Sequence, residues 1–128
     1  MAMTMTKFAA RTLFLSLFAA LAATPTPSLA SSAEENYRLY CVQCHGTLGN
    51  GEGINQTAGG LTVSPRDHTF AKDMSKLSDE EIRLAISGGG DAVQKSELMP
   101  PWGKTLTAAE IDDLVLYLRA LCKCQAAR

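Results

Sequence analysis

Cys41-Val42-Gln43-Cys44-His45 carries the most specific chemistry in this chain. Two thiols three residues apart, followed at once by a histidine, can each add to a vinyl group of one haem while the imidazole turns onto the iron. The spacing asks for one turn of helix, because residues three apart share a face and both sulfurs then reach the edge of a flat ring. This predicts one covalently attached haem c, held by Cys41 and Cys44 as thioethers, with His45 as an axial ligand. A bare Cys-x-x-Cys also serves zinc sites and dithiol redox pairs. The attached His45 and the export features described below favour haem.

A second axial ligand must come from elsewhere. Beyond residue 30 the usual candidates besides His45 are Met74, Met99 and His68. Met99 stands in Leu98-Met99-Pro100-Pro101-Trp102-Gly103, where two prolines keep the backbone extended and out of a helix, so its thioether would occupy one place on a loop. Met74 lies just before a helix start and reads as ordinary packing. His68, beside Asp67 in a polar loop, reads as a surface or hydrogen-bonded histidine. Met99 is the expected sixth ligand, His68 the next candidate, and an open iron the third. A soft sulfur ligand favours ferrous over ferric iron, so His45 with Met99 would raise the reduction potential and close the iron to substrates.

These residues need elements to position them. Ser32-Ala33-Glu34-Glu35 has the form of a capping box and opens a helix toward Cys41, with Tyr37 and Tyr40 on its inward face. Gly46, Gly49, Gly51 and Gly53 stop regular structure, and residues 46–70 form one long, mostly irregular segment of a kind that wraps a ligand. No Lys-Ser or Lys-Thr closes this run, which removes a phosphate-loop reading. Ser78 to Glu81 is a second capping box, with Leu77 and Ile82 as a hydrophobic staple, and its helix ends at Gly88-Gly89-Gly90. Thr107 to Glu110 repeats the device. Ile111, Leu114, Val115, Leu118 and Leu121 then recur at helical spacing. No stretch alternates well enough to demand a sheet.

Residues 1–30 read as a cleaved signal peptide: Lys7 and Arg11, the apolar run Leu13 to Ala23, then Ser28-Leu29-Ala30 before the cut. The run is too short to span a bilayer, so no membrane anchor is expected after cleavage. Residues 31–128, 98 in all, form one domain. With Lys7 and Arg11 gone, 10 basic residues face 13 acidic ones, a net charge of about −3 that gives no footprint for nucleic acid. The expected location is periplasmic, an oxidising compartment.

Cys41 to Gly46, the loop Leu98 to Gly103, and the closing Tyr117-Leu118-Arg119-Ala120-Leu121 resemble the small, soluble, mono-haem class I cytochromes c of bacteria over roughly residues 33–121. The resemblance implies an all-α fold, three to five helices wrapped around one covalently attached haem, with the N- and C-terminal helices crossing. It carries Cys41, Cys44, His45 and Met99 onto attachment and ligand positions. It also implies a helix-crossing Gly, where this chain has Ala33, and a Pro whose carbonyl holds the proximal His, for which Pro65 is the candidate.

Cys122-Lys123-Cys124 departs from the pattern. In a continuous helix, residues two apart point nearly opposite ways and could not bond to each other; a frayed end would allow a local disulfide. A disulfide dimer through Cys122 or Cys124 and free thiols are the other options, on an otherwise monomeric protein. The expected function is a one-electron Fe(III)/Fe(II) carrier, not an enzyme, meeting membrane or periplasmic oxidoreductases transiently. Lys95 and Lys104 flank the Met99 loop and could steer an acidic partner. A haem sensor with a displaceable sixth ligand, and a zinc module built from Cys41, Cys44, Cys122 and Cys124, are the competing classes.

Overall fold

The computed structural model describes residues 32–126. The predicted signal peptide and its cleavage point therefore lie outside the described residues. The elements in order are α1 (Ala33–Tyr40), α2 (Val42–His45), α3 (Ile54–Thr57), α4 (Ala71–Met74), α5 (Asp79–Gly88), a 3-10 turn (Asp91–Val93) and α6 (Ala108–Cys122). There is no strand among the described residues. Only α1, α5 and α6 exceed a single turn, so the three substantial helices carry the packing and the short ones shape the loops.

Caps set the boundaries. Ser78 and Thr107 each accept from the backbone N–H three residues on, while Glu81 and Glu110 reach back to the cap N–H, so both of these expected capping boxes form. At α1 only half of the box is present: Ser32 Oγ accepts from Glu35 N–H at 3.2 Å. Cys41 interrupts the helix between α1 and α2, and Gly46 at φ +79° ends it.

The core lies where α1 and α5 pack on α6. Tyr37, Ile82, Ile86, Leu106, Ile111, Leu114, Val115 and Leu118 are all buried, with Met74 only 1% exposed. Met74 is thus part of the buried core. Ala33 is partly buried against the same cluster, so its methyl fits the α1–α6 contact. On α5, Leu84 faces outward and Ala85 is half-buried. Residues 46–70 are irregular except for α3, also as expected.

One buried charge ties the helices together. Arg119 on α6 donates to the Met74 carbonyl at 2.8 Å, the Leu77 carbonyl at 2.6 Å and the Asp79 carboxylate at 2.8 Å. The guanidinium's planar fork thereby adds a second donor to the Met74 carbonyl, which already accepts from Leu77 N–H at 3.2 Å, and supplies one to the Leu77 carbonyl. Just beyond it, Lys123 adopts a left-handed conformation at φ +51° and α6 stops. That reversal brings Cys122 and Cys124 together as a disulfide. Of the options the sequence left open, the local bridge is the one present in this chain.

Candidate haem-binding site

Cys41, Cys44, His45 and Met99 line one cavity of about 440 Å³, within the range of cofactor sites. Tyr40, Met74, Leu77, Ile82, Trp102 and Leu114 supply apolar walls. The two thiols are free and half-buried, one at the α1–α2 break and one a turn later. Burial, and then the neighbouring Cys44, pushes the free Cys41 thiol up to about 12, so it keeps its proton in this fold. Asn55 on α3 donates to Cys44 Sγ at 3.4 Å. Gly53 is required here because a Cβ would overlap the carbonyls of Gln43 and Cys44.

The His45 ring is held by its Nδ1, which lies 2.9 Å from the Arg66 carbonyl. A carbonyl can only accept, so Nδ1 bears the proton and Nε2 keeps its lone pair for a metal. Burial lowers the His45 pKa, partly opposed by that same carbonyl, and the neutral ring is the form that ligates. The sequence pointed to Pro65 as the acceptor. The structure places the role one residue on, at Arg66, because Pro65 O instead faces Gly51, where a Cβ would come within 2.7 Å of it.

His68 is buried, only 8% exposed, which corrects the surface half of its expected role. Its Nδ1 is 2.9 Å from the Tyr37 hydroxyl. Its ring stacks on His45 with centroids 4.1 Å apart and planes 18° apart. Two imidazoles stacked face to face leave no room for an iron between them, so His68 is excluded as the ligand opposite His45. Burial, then His45 and Arg66, pushes its pKa well below the ordinary histidine value. Tyr37 is raised by burial and remains a hydroxyl donor.

The Met99 loop is fastened to α5. Gly90 N–H donates to the Met99 carbonyl at 2.9 Å, Trp102 N–H to Ile86 at 2.9 Å and Gly103 N–H to Ser87 at 3.0 Å. The sequence marked Gly89 and Gly90 only as a helix end. They also let the loop approach, since a Cβ on Gly89 would lie 2.8 Å from the Met99 carbonyl oxygen. Trp102 in turn packs on Tyr40 with centroids 4.9 Å apart, joining the loop to α1.

No three His, Cys, Asp or Glu side chains converge on a metal position among the described residues. With Cys122 and Cys124 joined to each other, a four-thiolate zinc site fails. What remains is an apolar slot with two thiols, an imidazole of fixed tautomer and a thioether on its walls, a donor set that fits a covalently bound haem.

A helical chain with this slot is a class I c-type cytochrome, and its cofactor is covalently attached haem c. The sequence belongs to the family described as "Cytochrome C oxidase, cbb3-type, subunit III", which it matches over residues 28–118. It is similar to the solved structure of the KustC0563 c-type cytochrome, with 30% identity and a TM-score of 0.56, covering 70% of this chain and 96% of that chain. No curated protein matches the sequence. Haem-based electron transfer is the activity of this class. No helix among the described residues is long and apolar enough to cross a membrane.

Proposed function

We propose that this protein is a periplasmic one-electron carrier whose haem is joined through Cys41 and Cys44 and whose iron is held by His45 and Met99. Haem c supplies the ferric/ferrous couple. The observation that carries the reading is the common cavity: Met99, on a loop with a hydrogen-bonded backbone, lines the same slot as the two thiols and the oriented imidazole.

The chain's own residues then have distinct tasks. The thiols of Cys41 and Cys44 fix the cofactor at the α1–α2 break. Arg66 holds the His45 proton on Nδ1, away from the iron-facing nitrogen. Leu77, Ile82, Leu114 and Leu118 keep water from the slot, which limits reorganisation when charge changes. A filled sixth position suits transfer rather than substrate turnover. Partners would be larger redox proteins that dock briefly near the Met99 loop, where Leu98 is exposed. The domain would be residues 31–128 after removal of a signal peptide.

Met99→Ala tests the axial pair. The weak red charge-transfer band of ferric iron bound to Met sulfur is expected to vanish, the midpoint potential to fall, and the ferrous form to bind carbon monoxide rapidly. An unchanged ferric spectrum and potential would remove Met99 from the iron.

A further inference from the structure

Tyr37, His45, Arg66 and His68 form a cluster that ligation by His45 uses only in part. Hydrogen bonding to Arg66 fixes one edge of the His45 ring. The His68 ring lies flat against its face, 4.1 Å away and nearly parallel. His68 is itself held at two points. Its Nδ1 meets the Tyr37 hydroxyl at 2.9 Å, and its main-chain N–H donates to the Gly49 carbonyl at 2.6 Å.

The surroundings are built for this contact. Gly49 sits at φ +76°, and a Cβ there would come within 3.3 Å of the Tyr37 oxygen, 3.2 Å of Leu121 and 3.6 Å of His68 Cβ. Tyr37 is buried, and Tyr117 packs against it with centroids 5.3 Å apart. Neither the tyrosine nor the second histidine is needed to attach haem or ligate iron.

We propose that His68 is a positioning residue for the proximal ligand: its Tyr37-tethered ring is a flat stop that sets the plane of the His45 imidazole. The inference rests on His45 being the haem's axial ligand. Residues that orient a ligating histidine commonly act on its other nitrogen. Here a second device acts on the ring face, supplied by the loop between α3 and α4 and by α1. The plane of an axial imidazole, together with the orientation of a sulfur ligand opposite it, sets which porphyrin directions share the unpaired ferric electron. It is therefore read directly in the order of the haem methyl resonances.

The test is proton NMR of the ferric holoprotein for wild type, His68→Ala, His68→Phe and Tyr37→Phe. Loss of the stacked ring in His68→Ala is expected to reorder the haem methyl resonances. His68→Phe keeps a flat ring and should preserve the wild-type order, with small shifts from the lost tether. Tyr37→Phe should give the same small shifts with unchanged helicity, and it carries the test if His68→Ala does not fold. A folded His68→Ala with wild-type order overturns the role, as does a His68→Phe that changes as much as His68→Ala, or a Tyr37→Phe with no shift. Absence of coordinated-imidazole resonances in the wild type removes the His45 premise instead. Their presence alongside unmoved variants removes the His68 role alone.

Discussion

Gly90 lies where the placement of Met99 meets a steric limit. Its N–H donates to the Met99 carbonyl at 2.9 Å, and its own carbonyl accepts from Lys95 N–H at 2.8 Å, so it holds both ends of the loop. A Cβ there would overlap the Ser96 carbonyl oxygen, lie 2.9 Å from that carbonyl carbon and 3.4 Å from Met99 Cβ. The carbon contact is about 0.5 Å inside ordinary contact, which begins at 3.4 Å. The obstacle is backbone and cannot rotate aside, so the segment from Ser96 to Met99 must retreat. Overpacking of this kind costs about 1–3 kcal/mol, and a ligand constellation tolerates displacements of only about 0.5 Å. Gly90→Ala is expected to lose about 1–3 kcal/mol of stability in urea and to weaken or lose the red Met–iron band. Gly60→Ala is the control: its φ is +67° with nothing within 4 Å, so it pays about 1–2 kcal/mol of strain and keeps the band. A Gly90→Ala protein with wild-type band and stability would refute the argument. A Gly60→Ala protein that loses the band would trace the loss to general destabilisation.

Arg119→Met should cost about 1–3 kcal/mol, because the Leu77 carbonyl loses its guanidinium donor and the buried Met74 carbonyl keeps only the 3.2 Å bond from Leu77 N–H. Asp79→Asn should cost under about 1 kcal/mol, since that carboxylate is half exposed and water can replace the ion pair. Equal losses in urea titrations would sink the assignment of the effect to the carbonyls. Glu81 and Glu110 are held below the ordinary carboxylate value of 4.5 by the N–H and hydroxyl groups of Ser78 and Thr107 respectively. Their depressed values mean the unfolded chain binds more protons as pH drops, so the caps' stability is present above about 4.5 and lost below it. Glu81→Gln with Glu110→Gln should therefore flatten the acid limb of a stability-against-pH curve, and an unaltered limb would count against the caps.

The attachment motif, the sixth-ligand candidate and two complete capping boxes were legible in the sequence, because each depends on residues within a few positions of one another. Cys41 to His45 states its chemistry within five residues, and Ser78 with Glu81 states a helix start within four. The apolar period of α6 likewise announced the face that becomes the core. Contacts between distant segments were not legible. Whether Pro65 or Arg66 offers its carbonyl to His45 depends on how a long irregular loop closes. That His68 is buried against His45 and Tyr37, rather than lying on the surface, depends on the same closure. Arg119 stood out in the sequence only as part of the closing Tyr117 to Leu121 stretch, yet it binds carbonyls more than forty residues away. The fate of Cys122 and Cys124 turned on a single left-handed residue, Lys123, whose type gives no sign of it. Local spacing determined which groups could do chemistry here, while the tertiary fold decided which of them meet, because a hydrogen bond or a stacked ring needs two chain segments brought within a few ångströms.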